Sequence, residues 1–234
     1  MPRTARVAPS GRVFHVLNRD VARMQVFEKP ADYQAFEQVL RETIDESSMR
    51  ICAYTVMPNH WHLLLWPECD GELARFMQRL TITHVRRWQQ HRGYAGLGHV
   101  YQGRYKSFPV ESDEQFWVVA RYVERNPQRA NLVLRAEEWR WSSLWRRCHG
   151  TTEERLLMAT WPIDMPPDWL DRSIATTRCK NWNHFVGACN EAARSTRRNG
   201  KRNCETIRPG IGRPVASEKW AAIKMPALSK MARI

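Results

Sequence analysis

Thr55-Val56-Met57-Pro58-Asn59-His60-Trp61-His62-Leu63-Leu64-Leu65-Trp66 is the stretch on which the reading of this chain turns. Pro58 and Asn59 separate two apolar runs of β type, Arg50 to Met57 and His60 to Trp66, and so tight a break predicts an antiparallel hairpin. Successive strand residues point to opposite faces, so His60 and His62 share one face while Trp61 and Leu63 face the other way, into a core. Two imidazoles side by side supply half the first shell of a divalent transition metal. The same spacing also describes two polar residues on a solvated strand face, and the rest of the chain has to decide between them.

Working outward, Arg12 to Arg19 reads as a first strand. Pro30 to about Ser48 reads as an amphipathic helix, with Tyr33, Phe36, Val39, Leu40 and Ile44 on one side. Beyond the hairpin, Gly71 to about His91 repeats the helical spacing through Leu73, Phe76, Met77, Leu80, His84, Val85 and Trp88, which makes His84 a core or rim residue. After a glycine-rich loop, Gly93 to Gly98, a returning strand is expected over His99 to Val110. Asp113 caps a third helix that runs to Asn126 and stops at Pro127. The order β-α-β-β-α-β-α predicts an α+β fold, a ferredoxin-like (RRM-like) antiparallel sheet with helices on one face and the other face open to a ligand. Trp139 to Trp145 closes this region as a packing segment.

Composition narrows the partners. The 234 residues contain 43% hydrophobic residues and eleven tryptophans, enough for a substantial core, and 37 Lys+Arg against 24 Asp+Glu give +13. That excess favours a polyanion, with nucleic acid first. No run of about 18 apolar residues occurs and the N-terminus has no apolar leader, so a cytoplasmic, nucleoid-associated protein without a membrane partner is expected. The six cysteines include no Cys-x-x-Cys pair, which argues for reduced, packing thiols. The domain is expected over 1–150, and 151–234 is expected to be a linker and a basic tail of low structure. Ala192 to Ile234 holds eleven Lys+Arg against Glu205 and Glu218, or +9 of the +13, without apolar periodicity, and such a segment is expected to be disordered when free.

Chemistry concentrates on the third helix, Arg121-Tyr122-Val123-Glu124-Arg125-Asn126-Pro127. Tyr122 and Asn126 are four apart, so a hydroxyl and an amide oxygen can point into one cleft; the alternative is a tyrosine at the rim of an amphipathic helix. Arg104 and Lys106 alternate on the returning strand and would share a face suited to phosphate, or would simply be solvated there. Arg121, Arg125 and Arg129 flank the tyrosine and would extend a basic path, although a solvated helix face accounts for them equally well.

Four segments in order then carry a resemblance. Met57-Pro58-Asn59-His60-Trp61-His62-Leu63-Leu64-Leu65, Gln102-Gly103-Arg104-Tyr105-Lys106-Ser107, Arg121 to Ala130 and Trp141-Ser142-Ser143 are similar to the motifs of REP-associated tyrosine transposases. These are single-tyrosine relatives of the insertion-sequence-200-like transposases, of the His-hydrophobic-His (HUH nuclease) fold, and the similarity covers roughly Gly11 to Ser143. It implies Tyr122 as nucleophile, His60 and His62 as metal ligands and Asn126 as the third, oxygen-bearing ligand. The cation would be Mg²⁺ or Mn²⁺, and the imidazoles suit Mn²⁺ better. The implied activity is metal-dependent cleavage and rejoining of single-stranded hairpin DNA through a 5′-phosphotyrosine, by a monomer or a homodimer. In the tail only Arg208-Pro209-Gly210-Ile211-Gly212-Arg213-Pro214 resembles the family's Gly-Arg-Pro signature, through which Arg213 would reach an A·T-rich minor groove. A non-catalytic hairpin-binding regulator and an RNA-binding module remain as competing readings. A pure binder needs neither histidine nor tyrosine, and the aromatic strand signature of an RNA recognition motif is missing.

Overall fold

The computed structural model describes residues 8–21, 25–94 and 98–169. Four strands, β1 (Phe14–Arg19), β2 (Arg50–Met57), β3 (His60–Trp66) and β4 (Lys106–Pro109), form one sheet in the order β2-β3-β1-β4. Every neighbouring pair is antiparallel. Helices α1 (Pro30–Asp45) and α2 (Glu72–Arg92) make the two crossovers, the interleaved βαβ pattern expected of a ferredoxin-like sheet.

The expected hairpin closes on Pro58 and Asn59, with Met57 opposite His60. Its turn is held from both sides, because the Pro58 carbonyl accepts the Phe27 N–H at 3.1 Å and the Asn59 carbonyl accepts the Asp20 N–H at 3.0 Å. Trp61, Leu63 and Leu65 face α1 and α2 in a fully buried core with Phe36, Leu40, Met77 and Leu80. An indole N–H in such a core needs an acceptor, and Trp61 Nε1 finds the Tyr101 hydroxyl at 3.1 Å. That hydroxyl also meets His84 Nδ1 at 2.7 Å, so His84 is a core histidine. A bulge between Ile51 and Ala53 keeps Ile51, Tyr54 and Val56 all in the core.

Only α1 and α2 share that face. Helix α3 (Asp113–Glu124), capped by Ser112 on Gln115 N–H at 3.2 Å, lies across the opposite face of β2 and β3, over the histidines. Its apolar residues Phe116, Val119, Ala120 and Val123 need burial, and the sheet's second face provides it. The break expected at Pro127 falls at Arg125, after which a short turn of helix, α4 (Asn126–Arg129), resumes. Pro127 has no N–H for the Val123 carbonyl, and that buried carbonyl accepts the Thr55 hydroxyl of β2 at 2.7 Å.

Two expectations are corrected. The returning strand does not run from His99 to Val110; only Lys106–Pro109 is strand, preceded by an isolated bridge between Tyr101 and Asp20. Tyr101 is drawn inward to Trp61 and His84, and the Gly103 carbonyl accepts the Asn18 amide at 3.3 Å, so the ladder is interrupted: the side chains of 102–104 are exposed, and Tyr105 returns to the core before the strand resumes. The packed body also continues beyond Gly150, into the 151–234 region expected to be a linker and tail of low structure. Outer strand β2 leaves backbone groups that need partners. Ala159 N–H bonds the Ile51 carbonyl at 2.9 Å, Trp161 Nε1 bonds the Cys52 carbonyl at 2.6 Å, and Trp169 Nε1 reaches Glu124 at 2.8 Å. Helices α5 (Ser143–His149) and α6 (Thr152–Arg155) support this cover. The Trp139 to Trp145 segment packs as expected, with Trp141 stacked on Tyr33 at 4.8 Å. Among the described residues no helix is long and apolar enough to cross a membrane, and Cys52, Cys69 and Cys148 are free thiols.

Candidate active site

The site lies between the second face of the sheet and the C-terminal end of α3. Antiparallel pairing sets Arg19 of β1 opposite His60 of β3 and Leu17 opposite His62, so alternate residues His15, Leu17 and Arg19 share the histidine face. The imidazoles of His60 and His62 meet edge to face with centroids 5.1 Å apart. His15 stacks on His62, with centroids at 5.2 Å and Nε2 to Nδ1 at 3.0 Å. Tyr122 stands edge-on to both, 5.5 Å from the His62 ring and 6.0 Å from the His15 ring. On the other side, His60 Nδ1 meets Asn59 Oδ1 at 2.6 Å, and the same ring hydrogen-bonds the Asn126 side chain. Four of the proposed residues, His60, His62, Tyr122 and Asn126, therefore come together.

Burial makes the histidines neutral. Removing imidazolium from water pushes His15 and His60 down to about 4, Arg19 adding to the effect on His60 and the Asn126 hydrogen bond opposing it. His62 is driven well below its ordinary value by burial first and then by His15 and His60. At neutral pH each ring has one lone pair to give. Asn59 engages Nδ1 of His60 and His15 engages Nδ1 of His62, so a cation would be met by Nε2 of His62 and, on His60, by the nitrogen away from Asn59, with Asn126 beside it. Two neutral imidazoles with an amide beside them fit a divalent ion. Among the described residues no three His, Cys, Asp or Glu side chains surround a common point, so a third protein ligand would come from a group such as the Asn126 amide.

The basic residues divide. Arg129, at the end of α4, sets its guanidinium 4.9 Å from the centre of the Tyr122 ring. Lys106 is exposed on β4 opposite Leu17, on the same face as His62 and two strand spacings away, roughly 10 Å. Arg104 belongs to the exposed 102–104 segment and not to the strand, so it does not share a strand face with Lys106. Arg125 turns to Gln128 at 3.0 Å, and Arg121, half-buried, is turned about 100° from Tyr122 around α3. Arg213 lies outside the described residues. Sequence reasoning passed over His15, Arg19 and Asn59. The signal for the first two was the alternation of Phe14-His15-Val16-Leu17-Asn18-Arg19, whose apolar Phe14 and Val16 leave His15 and Arg19 on the other face.

A comparison with curated proteins finds no match. Among solved structures, a REP-associated tyrosine transposase bound to a REP hairpin is similar at 19% identity, with a TM-score of 0.52 over 70% of this chain and 95% of that one. A Deinococcus radiodurans R1 protein described as a transposase matches at 18% identity over 53% of this chain and 97% of that one, with a TM-score of 0.37. The profile of the family described as "Transposase IS200 like" matches residues 10–126. That is half of the 234 residues and runs from β1 through both histidines to Tyr122 and Asn126, and by it this chain belongs to the IS200-like transposase family.

Proposed function

We propose that this protein cleaves and rejoins single-stranded DNA at hairpins of the REP type, with Tyr122 as the nucleophile. One observation carries the reading: the Tyr122 ring stands edge-on to two buried histidines, with the guanidinium of Arg129 over its face. A structural tyrosine at a helix rim has no need of that company. The hairpin substrate is supported by the similar fold of the REP-associated transposase, which is bound to a REP hairpin, and by the +13 charge of this chain.

The chemistry follows from the residues. Free phenol, with a pKa of about 10, is a weak nucleophile at neutral pH, so the site must favour loss of its proton. Arg129 places positive charge beside the ring, where it stabilises the phenolate. His60 and His62, with Asn126, would hold Mg²⁺ or Mn²⁺, which when bound would draw charge from the scissile phosphate. Lys106 and Arg19, on the same sheet face, hold the phosphates to either side. The Tyr122 oxygen bonds to phosphorus as the bond to the 3′ oxygen breaks, and the phenolic proton ends on the departing 3′ hydroxyl. Because the phosphodiester energy stays in the tyrosyl ester, another 3′ hydroxyl can reverse the step and join strands without a nucleotide cofactor. An enzyme of this kind works on chromosomal DNA, in the cytoplasm and at the nucleoid.

The test is an end-labelled single-stranded hairpin incubated with the full chain and Mn²⁺. Wild type should form an SDS-resistant adduct. Tyr122→Phe should form none while binding the hairpin within about threefold, since only the nucleophilic oxygen is lost. An adduct on the phenylalanine variant would show another nucleophile. Binding without any wild-type adduct would favour a non-catalytic regulator.

A further inference from the structure

We propose that His15 is a positioning residue that fixes which nitrogen of His62 faces the cation. The inference rests on the reading of His60 and His62 as ligands. A neutral imidazole has one donor and one acceptor nitrogen. His62 can offer Nε2 as a lone pair only in the tautomer that carries its proton on Nδ1, and that Nδ1 is 3.0 Å from His15 Nε2. His15 accepts this N–H and so carries its own proton on Nδ1.

The placement is built into the sheet. Pairing of His15 with Leu64 and of Leu17 with His62 makes His15 and His62 diagonal neighbours on one face, within reach of long or aromatic side chains. The rings are 18° from parallel, with Phe108 and Tyr122 against His15 on other sides. His15 is 2% exposed and His62 4%, so water has no ready way to replace the acceptor. Ligating histidines almost always give their second N–H to a carboxylate, a carbonyl or water, and losing that partner costs about 10- to 100-fold in metal affinity or activity. An imidazole in this role orients His62 without adding negative charge beside the incoming phosphate. His15 is not a third ligand, because its Nε2 is committed to His62.

The experiment uses the full chain and three variants. His15→Phe keeps the ring and removes the acceptor. His15→Gln puts an amide oxygen near the place of Nε2. His15→Asn is equally polar but too short to reach His62. Mn²⁺ affinity is read without DNA from the electron paramagnetic resonance of free Mn²⁺, and thermal unfolding without metal reads packing separately. His15→Phe and His15→Asn should bind Mn²⁺ about 10- to 100-fold more weakly, while His15→Gln stays within about threefold of wild type. The Mn²⁺ concentration for half-maximal adduct should move by the same factors, with yield recovered at saturation. Wild-type affinity in both His15→Phe and His15→Asn, or an equal loss in His15→Gln, would overturn the proposal. His60→Ala separates the two readings. If wild type binds Mn²⁺ and His60→Ala does not, the ligand assignment stands and the His15 variants alone decide; if wild type binds none, both fall.

Discussion

Thr55→Val removes one hydroxyl and keeps the side chain's shape, and it should loosen the helix that carries Tyr122, the proposed nucleophile. Thr55 and Val123 are both fully buried, and their hydrogen bond, 2.7 Å long, joins β2 to the last turn of α3 across 68 positions of sequence. Pro127 offers that carbonyl no N–H four residues on, and only the Arg125 N–H, two residues on, also bonds it, so valine at 55 would leave the buried carbonyl under-satisfied, at a cost of about 1–3 kcal/mol. For a domain of this size about 2 kcal/mol lowers Tm by roughly 4–8 °C. Tyr122 sits one residue before Val123, so the same loss should slow adduct formation at saturating DNA by about tenfold or more, since small misplacements of a reacting group are costly. Thr55→Ser is the control: it sacrifices a buried methyl worth about 1 kcal/mol but keeps the hydroxyl, and its single-turnover rate should stay near wild type. A valine variant with wild-type Tm and wild-type rate would show that this bond does not hold the helix over the histidines.

Two further outcomes are expected. His60→Ala should reduce adduct formation by orders of magnitude, and EDTA should do the same to wild type, whereas hairpin binding in EDTA should persist; full activity in EDTA would remove the cation from the reaction. Asp20 is fully buried, and desolvation raises its carboxyl from an ordinary 3.8 to about 7. A carboxyl whose folded value is raised costs nothing below the unfolded value, and stability is lost as pH climbs from about 4 to about 7. Asp20→Asn should therefore gain Tm over wild type as pH rises from 5 to 8, and a Tm difference that does not change with pH would refute the assignment.

The parts of the molecule legible in the sequence were those with a local period. Alternation through Arg50 to Trp66 fixed the hairpin and the shared face of His60 and His62, and spacings of three and four marked α1 and α2. Tyr122 and Asn126 were paired through helical spacing, and they meet the same site even though the helix breaks at Arg125. What stayed hidden depends on partners distant in sequence. The contact of His15 with His62 requires the β1–β3 register, which only strand pairing sets. Arg104 was placed on a strand because nothing local shows Tyr101 being pulled into the core. The cover supplied by Trp161 and Trp169 answers carbonyl and carboxylate groups of β2 and α3 more than 40 residues away, so nothing local marked the residues after Gly150 as part of the packed body.

The alternation of His60, Trp61 and His62 also bears on how this chain tolerates insertions and deletions. Strand β3 is hydrogen-bonded on both sides, to β2 and to β1. A one-residue slip would carry Trp61 into the site and both imidazoles into the apolar core, against two neighbouring strands at once. The histidine half of the site is thus locked to the fold's own register and can drift only by changing side chains in place. Tyr122 stands on a helix that ends in a break and is tied to the sheet by side chains, the Thr55 hydroxyl on Val123 and the Ser143 hydroxyl between Glu124 and the Tyr54 N–H among them. Among the described residues, length changes are better tolerated in exposed stretches such as 102–104 and the turn after α4, where they leave the histidine pair where the core puts it.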